Sequence, residues 1–439
     1  MNIKVALETL GCKVNQYESS YFLQLLEEAG CKTVGFREHA DVYIVHSCAV
    51  TSKAGFQTRQ LLRRAQRLNP AAKIIVTGCE AQLDSRRIAE EGLATHILGN
   101  AEKFDLPKWL QAPGSLSHPL MALSDPRRYD HFPPQPVTRM YSGRARAFLK
   151  LQDGCDSFCS YCVIPFTRGK SRSLPAHEVR LQMDRFLDHG YQEVVLTGIH
   201  LGQWGKDLEP RQGLAALLEE LERSALPPRV RLSSLEPMEW TDELLHYLTS
   251  RQWICPHFHV PLQSGDDEIL ERMHRPYKAH QYEELVRELH FLFPRAAIGA
   301  DVLVGFPGET EEHFQNTFEL LNRLPISYMH VFPFSPRPGT LAAKWPGRVT
   351  GNELKRRARL LHRLSAAKRQ TFRERFMGET IEVLAESQVK PGWWQGTSRN
   401  YLQIFFPAPC DLPPGSLVSV RIRRLTGEGV MGEMVLNPH

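Results

Sequence analysis

Residues 153–162 read DGCDSFCSYC and place Cys155, Cys159 and Cys162 in a loop directly after a predicted strand, with the spacing C-x3-C-x2-C. Three thiolates this close together can bind three of the four irons of a [4Fe–4S] cube. The fourth iron is then open to a substrate or a cofactor. A zinc site is the alternative, but three thiolates leave zinc one ligand short, and this spacing is not a usual zinc pattern. The stretch therefore favours an iron–sulfur cluster with one open iron.

This loop follows the first of six candidate strands that alternate with helical patterns, such as those at 177–189 and 281–293. The strands are predicted at 148–152, 193–197, 229–233, 257–262, 299–304 and 328–334. Each strand runs into a loop rich in Gly, Pro or polar residues. A barrel or partial barrel of βα units would gather these loops on one face, where we expect the chemistry.

A second set of cysteines lies in the first 110 residues, where short apolar strands alternate with amphipathic helices. The predicted strands are 3–7, 42–45 and 73–76, and the helices are 18–29 and 53–68. This alternation predicts a parallel sheet with helices on both faces. Cys12, Cys48 and Cys79 each follow one of the strands.

The carboxyl ends of neighbouring parallel strands lie side by side, so we expect these three cysteines to converge on one ligand. Gly11 and Gly78 would let the backbone approach a bulky cluster closely. The alternative is three unrelated buried cysteines, because free cysteine is often buried. The three remaining cysteines follow no such pattern and are interpreted as structural. His257 and His259 alternate along one predicted strand, and a structural role is favoured over metal ligation.

Three further segments differ in composition and patterning from the two regions of alternating strands and helices. Residues 112–140 contain Ala-Pro-Gly-Ser at 112–115 and Pro-Pro-Gln-Pro at 133–136 and predict a linker. Residues 351–376 form a basic amphipathic helix, which is either a solvated face or a phosphate-binding stripe. Its basic side chains are Lys355, Arg356, Arg357, Arg359, Arg363, Lys368, Arg369, Arg373 and Arg375. From residue 379 onward, short alternating strands predict a small β-barrel.

Composition limits the class of protein. The chain has 439 residues, a hydrophobic fraction of 42% and a net charge of +5, which predicts about three globular domains and permits a polyanionic partner. An odd total of nine cysteines cannot form a complete disulfide framework. No run of 18 apolar residues and no signal-peptide core near the start are present. We therefore expect a cytoplasmic protein that does not enter a membrane.

Together these stretches resemble the radical S-adenosylmethionine (SAM) methylthiotransferase family over nearly the whole chain. The matching motifs are LGCKVNQYES from Leu10, the loop 153–162, PFTRGKSR from Pro165, LTGIHLG from Leu196, SSLEP from Ser233, HVPLQSGDDE from His259 and DVLVGFPGE from Asp301. The resemblance implies a parallel α/β domain (1–111), a linker (112–140), a partial (β/α)6 radical SAM barrel (141–372) and a C-terminal antiparallel β-barrel of the TRAM type (373–439).

The family resemblance also implies two [4Fe–4S] clusters and SAM as cofactors. Cys155, Cys159 and Cys162 would bind the SAM-binding cluster, and Cys12, Cys48 and Cys79 would bind an auxiliary cluster that holds the sulfur to be inserted. A 5′-deoxyadenosyl radical from SAM would remove hydrogen from an unactivated carbon, and a second SAM would supply the methyl group. Contacts to SAM are expected from Gly198, Glu236, Gln263 and Gly305, although a strand-end turn explains each glycine equally well. We assign no side chain as catalytic.

The first cysteine motif bears on the substrate. Gly-Cys-Lys-Val-Asn at 11–15 resembles the branch that modifies C2 of N6-threonylcarbamoyladenosine at position 37, in the anticodon loop of tRNA. The alternatives are isopentenyladenosine 37, a ribosomal protein aspartate, and a non-enzymatic iron–sulfur RNA-binding module. His46-Ser47 departs from the Asn-Thr that is usual before the second cysteine. An electron donor of the flavodoxin or ferredoxin type is expected, and the sulfur donor is left open.

Overall fold

A computed structural model describes residues 3–435. Met1, Asn2 and residues 436–439 lie outside this range, including the last four residues of the predicted C-terminal domain. The chain divides into two compact units. The first holds the residues up to Ser142 with Lys150–Pro175 and Ser335–Ala343, and the second holds Gly143–Leu149, Ala176–Phe334 and the residues from Lys344 on.

The first unit is built on a parallel six-stranded sheet with the order β2-β1-β3-β4-β5-β6. Its strands are β1 (Lys4–Thr9), β2 (Lys32–Val34), β3 (Val42–Ser47), β4 (Lys73–Gly78), β5 (His96–Leu98) and β6 (Leu120–Ala122). Its helices are α1 (Lys13–Glu28), α2 (Ser52–Leu68), α3 (Cys79–Leu83), α4 (Ser85–Glu90) and α5 (Leu106–Gln111). Strand β6 lies within the segment that the sequence predicts as a linker.

The central strand of this sheet is buried on both faces. All six residues of β3 are buried. Tyr43 and Val45 pack into one apolar core and Val42 and Ile44 into another. A strand covered on both faces by helices is expected to be almost continuously apolar, because alternate side chains enter opposite layers. This burial fixes the register of the sheet and therefore the level at which each strand ends.

The second unit contains the βα repeats. After β7 (Ala147–Asp153), which is divided between the units, and β8 (Arg172–Ser173), its strands are β9 (Glu193–Gly198), β10 (Arg229–Leu232), β11 (His257–His259), β12 (Ala297–Val304) and β13 (Tyr328–Pro333). Helix α6 (Ile164–Arg168) precedes β8 in the first unit. The helices of the second unit are α7 (Ala176–Asp188), α8 (Leu214–Glu222), α9 (Asp242–Thr249), α10 (Asp267–Arg272), α11 (Ala279–Leu292), α12 (Glu311–Arg323) and α13 (Gly351–Glu374).

The barrel strands form two ladders rather than one closed sheet. Strands β10, β9 and β7 are neighbours in that order, and β11, β12 and β13 form a separate parallel ladder. A single bridge between Val230 and Ile254 lies between the ladders. Each of the six strands lies within two or three residues of its predicted position. This agreement confirms the predicted partial (β/α)6 barrel.

The C-terminal strands close into a small barrel with the order β14-β15-β16-β18-β17. They are β14 (Thr380–Lys390), β15 (Trp393–Ser398), β16 (Gln403–Pro407), β17 (Leu417–Leu425) and β18 (Val430–Val435). The pairing is antiparallel except between β16 and β18, where a short parallel pairing closes the barrel. Trp394, Ile404, Phe406, Val420 and Ile422 fill the interior.

Among residues 3–435, none of the helices combines the length and the apolar character that crossing a lipid bilayer requires.

Candidate functional site

The three N-terminal cysteines follow the carboxyl ends of three neighbouring strands. Thr9 at the end of β1 pairs with His46 of β3, and Ser47 pairs with Gly78 at the end of β4. Cys48 and Cys79 come directly after β3 and β4, and Cys12 follows β1 after a two-residue turn. The parallel register therefore brings these three distant positions to one edge of the sheet, as the sequence predicts.

Two glycines allow the close approach at this edge. Gly11 has a φ of +99°, and a Cβ there would lie 2.6 Å from Cys48 Cβ and 2.7 Å from Cys48 Sγ. Gly78 has a φ of +94°, and its Cβ would lie 2.5 Å from the Ser47 carbonyl oxygen. Glycine is the residue that adopts such angles without steric cost. The backbone beside Cys12 and Cys79 thus requires glycine on both conformational and steric grounds.

The three thiols interact electrostatically. Burial raises the pKa of the Cys48 thiol to about 12, and the neighbouring Cys12 and Cys79 raise that pKa further while Arg168 opposes them. Three thiolates grouped at this edge of the sheet would repel one another. A bound metal stabilises thiolates in proteins. In the described part of the chain, neither cysteine set brings its sulfurs as close together as the ligands of one ion. Three grouped thiols fit a bound metal cluster, which would stabilise their thiolate forms.

The loop cysteines lie between β7 and α6 in the same compact unit. The Cys155 N–H donates to the Gly169 carbonyl, and Gly154, with a φ of +74°, has no room for a Cβ against the Lys170 carbonyl. The Ser157 N–H points to Cys155 Sγ and the Ile164 N–H to Cys162 Sγ, each at 3.5 Å. Amide hydrogen bonds to sulfur are a recurring feature of iron–sulfur sites, so this loop also fits a cluster.

Arg168, at the end of α6, lies in a buried ionic network next to the strand-end cysteines. Its guanidinium donates to Asp153 Oδ1 at 2.8 Å, to Asn15 Oδ1 at 2.6 Å and to both Glu18 carboxylate oxygens at 3.1 and 3.2 Å. Burial alone would lower the pKa of Arg168, but Asp153, Glu18 and the thiols of Cys79 and Cys12 raise it. The Arg168 charge therefore acts on both carboxylates and on the cysteines.

Two buried lysines complete the network. Lys103 Nζ lies 2.7 Å from Glu18 Oε2, and Lys150 Nζ lies 2.6 Å from Glu18 Oε1 and 2.8 Å from Asp153 Oδ2. Burial alone would raise the pKa of Glu18, but Arg168, Lys103 and Lys150 hold it well below its usual range. Such a network is stable only if every charge keeps its partner.

Two asparagines connect this network with the cysteines. The Cys12 thiol lies 3.8 Å from Asn15 Oδ1, which also accepts from Arg168. Asn100 Nδ2 lies 3.9 Å from Cys79 Sγ, and Asn100 Oδ1 accepts from Lys103 Nζ at 2.8 Å. Sequence reasoning missed these residues, because Asn15, Asn100 and Arg168 meet only in the folded unit.

The four residues predicted to contact SAM all follow barrel strands in the second unit. Gly198 ends β9, and Glu236 begins a short 3-10 turn and forms an ion pair with Arg275. Gln263 has a φ of +67° and forms a bridge with Val302 of β12. The Gly305 N–H donates to the Glu309 carboxylate at 3.1 Å. Their contact with SAM stays a prediction.

The two histidines of β11 have different surroundings. His257 Nε2 lies 2.7 Å from the Tyr328 hydroxyl, and its ring stacks on Tyr401 at 4.1 Å, which supports the structural interpretation. His259 Nε2 lies 2.9 Å from Asp301 Oδ1, and the ligand atoms of His259, Asp301 and His330 lie within 4.8 Å of one another. These three residues lie on neighbouring strands, and alternate residues of a strand lie on the same face of the sheet. That alternation is the sequence signal that could have predicted their proximity.

The basic helix α13 is partly internal. Arg357 Nη1 donates to Glu309 Oε1 at 2.6 Å, Arg356 pairs with Glu353 and Glu311, and Lys368 Nζ donates to the Leu324 carbonyl at the end of α12. These side chains bind protein groups, whereas Lys355, Arg359, Arg363 and Arg369 are exposed. The helix is thus a packing element on one side and a cationic surface on the other.

Comparison with known proteins agrees with this architecture. Residues 4–99 match the family described as "Uncharacterized protein family UPF0004", and residues 149–321 match the radical SAM superfamily. A solved radical SAM methyltransferase, TsrM from Kitasatospora setae, aligns with a TM-score of 0.57 and 16% identity over 78% of this chain and 77% of its own, which shows the fold alone.

Higher sequence identity is found with several named tRNA methylthiotransferases. The threonylcarbamoyladenosine tRNA methylthiotransferase MtaB of Aquifex aeolicus is 39% identical over 87% of this chain and 92% of its own. The enzyme of the same name from Bacillus subtilis is 36% identical over 95% and 93% of the two chains. The tRNA-2-methylthio-N(6)-dimethylallyladenosine synthase of Moorella thermoacetica is 32% identical over 97% of both. With two cysteine sets, a radical SAM barrel and relatives of this kind along its length, the chain belongs to the radical SAM methylthiotransferase family.

Proposed function

We propose that this chain is a tRNA methylthiotransferase that adds CH3S to C2 of N6-threonylcarbamoyladenosine 37. The observation that carries the proposal is the gathering of Cys12, Cys48 and Cys79 at one sheet edge, in the same compact unit as the C-x3-C-x2-C loop. A single cluster would serve SAM cleavage alone. A second cysteine set gives the sulfur to be inserted its own binding place.

In this proposal Cys155, Cys159 and Cys162 hold the cluster that binds SAM, and Cys12, Cys48 and Cys79 hold the auxiliary cluster. When bound, the two clusters and SAM supply the electron, the radical and the sulfur that functionalisation of an inert C–H bond needs. The protein binds and orients these groups. Gly198, Glu236, Gln263 and Gly305 are the proposed SAM contacts, and backbone amides at Ser157 and Ile164 stabilise the loop thiolates.

The substrate assignment rests on sequence similarity. The Gly-Cys-Lys-Val-Asn motif and relatives at 34–39% identity, all bearing the name threonylcarbamoyladenosine tRNA methylthiotransferase, support threonylcarbamoylated tRNA as the substrate. Position 37 places the contact in the anticodon loop. We propose a cytoplasmic enzyme that receives electrons from a flavodoxin- or ferredoxin-type donor.

Nucleoside analysis of tRNA from cells with and without this protein tests the assignment. Loss of 2-methylthio-N6-threonylcarbamoyladenosine is the expected result. Loss of the dimethylallyl (isopentenyl) counterpart instead would move the chain to the branch of the Moorella relative. A change confined to a ribosomal protein aspartate would make a protein the substrate, and no change in either would favour a non-enzymatic RNA-binding module.

The exposed cations of α13 give the proposal a second test. Arg359→Glu combined with Arg363→Glu should weaken tRNA binding and reduce the slope of log affinity against log salt by about 2. Arg211→Glu with Arg223→Glu makes the same change of charge at two other exposed arginines and serves as the control. Equal salt slopes for the two double variants would mean that this surface is a solvated face that does not bind tRNA phosphates.

A further inference from the structure

The strand-end cysteines lie beside a buried surplus of positive charge. The side chains of Glu18, Lys103, Lys150 and Arg168 are at most 1% exposed. Arg172 Nη2 approaches Asp153 at 3.6 Å, so four cations face the two carboxylates of Glu18 and Asp153. Buried charges normally balance, because an uncompensated ion costs several kcal/mol.

The surplus is directed toward the cysteines. Arg168 uses its two terminal nitrogens on Asp153, Glu18 and Asn15, while its Nε is buried and has no hydrogen-bond partner among residues 3–435. A buried guanidinium donor without an acceptor is unusual, and it leaves part of the hydrogen-bonding capacity of Arg168 unused by the surrounding protein groups. The thiols of Cys12 and Cys79 are the remaining negative groups that act on Arg168.

Asn15 and Asn100 extend this arrangement to the sulfurs. Asn15 Oδ1 lies between the Cys12 thiol and the guanidinium, and Asn100 lies between Cys79 Sγ and Lys103. Each asparagine is held in place by further bonds, from Asn15 Nδ2 to the Ser47 carbonyl at 3.1 Å and from Asn100 Nδ2 to the Thr167 carbonyl at 2.7 Å. Through these two asparagines the cationic network reaches two of the three proposed ligands.

We propose that Arg168 is a positioning residue that holds this positive charge against the auxiliary cluster and thereby sets the reduction potential of that cluster. The proposal rests on the proposed function, since it needs a cluster at Cys12, Cys48 and Cys79. Three thiolates leave an iron–sulfur cube with net negative charge, and a cluster's reduction potential depends on net charge and on hydrogen bonds to sulfur. A fixed buried cation favours the reduced, more negative state and raises the potential.

Redox titration of the reconstituted full-length chain, followed by electron paramagnetic resonance, tests this role. The titration is done with Cys155, Cys159 and Cys162 all changed to Ala, so that only the auxiliary cluster contributes to the signal. Arg168→Gln should shift its reduction equilibrium at least tenfold toward the oxidised form, about 59 mV for one electron. Arg168→Lys keeps the charge, so its potential should stay close to that of the chain with Arg168, although it loses the forked hydrogen bonds.

Glu18→Gln provides a matched substitution of opposite sign. It removes one negative charge with little change of shape, so the potential should rise, whereas a purely structural effect would not reverse direction between the two variants. If Arg168→Gln fails to fold, Arg168→Ala takes its place in the comparison, and the opposite signs of its shift and that of Glu18→Gln remain the criterion. Arg231→Gln is the control, because Arg231 is equally buried and bonds Glu193 at 2.8 Å in the second compact unit.

The outcomes separate this inference from the proposed function. Unmutated protein that binds only about four irons, all of them lost when Cys155, Cys159 and Cys162 are changed to Ala, lacks an auxiliary cluster and overturns both. About eight irons, with the same potential in Arg168→Gln, Glu18→Gln and the Arg231→Gln control, overturns the role of Arg168 and leaves the proposed function standing. Shifts of opposite sign, absent from the control, establish the role.

Discussion

The two cysteine sets lie in one compact unit, yet the chain builds them in different ways. Cys155, Cys159 and Cys162 come from a single loop shaped by Gly154 and by backbone amides. Cys12, Cys48 and Cys79 come from three strand ends and lie beside a buried ionic network. The loop site depends on local spacing, whereas the strand-end site depends on the register of a sheet and on charges from several elements. We expect the two sites to respond differently to substitution.

The largest effect should come from removing one proposed ligand of either cysteine set. Cys48→Ala and Cys159→Ala should each reduce the iron content from about eight to about four per chain and abolish the methylthio product. Only Cys159→Ala should also abolish 5′-deoxyadenosine formation, because the cluster proposed to bind and cleave SAM is the one at the loop. Iron analysis and mass spectrometry measure both quantities. Cys410→Ala, at an exposed cysteine, is the control, and full iron content in Cys48→Ala would remove that residue from the ligand set.

Glycine substitutions should break one site at a time. Gly154→Ala should prevent iron binding at the loop site, because a Cβ would overlap the Lys170 carbonyl. Gly11→Ala should prevent iron binding at the strand-end site, because its Cβ would overlap Cys48. Each variant should keep about four irons. Gly190→Ala is the matched control, with a φ of +76° but open space around it, so only conformational strain of about 1–2 kcal/mol is expected. Loss of all iron in either variant would contradict separate assembly.

Glu18→Ala should destabilise the apoprotein by about 3–5 kcal/mol, because it leaves Arg168, Lys103 and Lys150 buried without their shared partner. Glu283→Ala removes an ion pair whose partners Arg287 and Arg323 are half exposed, and should cost less than about 1 kcal/mol. Chemical denaturation under anaerobic conditions gives both free energies. Equal costs would mean that the buried network is no more important for folding than a surface pair.

A smaller effect should appear in the pH dependence. The pKa of Glu18 is held well below its usual range by Arg168, Lys103 and Lys150 against the effect of burial. A depressed carboxylate pKa contributes stability above the unfolded value of about 4.3 and loses it as the pH falls below that value. The unfolding free energy of the Glu18→Gln apoprotein should therefore decline less steeply below about pH 4 than that of the unsubstituted chain. Parallel declines would show that Glu18 does not titrate with folding.

Much of the fold could be predicted from the sequence. The strand at 42–45 is apolar on both faces, and the alternation of strands and helices identified both parallel architectures. Short elements were not predicted: strand Leu120–Ala122 has too few residues for a periodic pattern and forms because β5 offers a free edge. The basic helix was correctly placed, but Arg357 turned out to be buried on Glu309, because its partner comes from a different part of the chain.

The sequence by itself determined the chemistry that the protein can use, because ligand types and their spacing within a loop are local properties. Only the tertiary structure decided the electrostatic surroundings of that chemistry. Asn15 and Glu18 of α1, Asn100 and Arg168 come from three separate parts of the chain, yet they meet beside Cys12 and Cys79. Electrostatic interaction depends on distance through space and on exclusion of water, and both are set when the sheet and its helices pack.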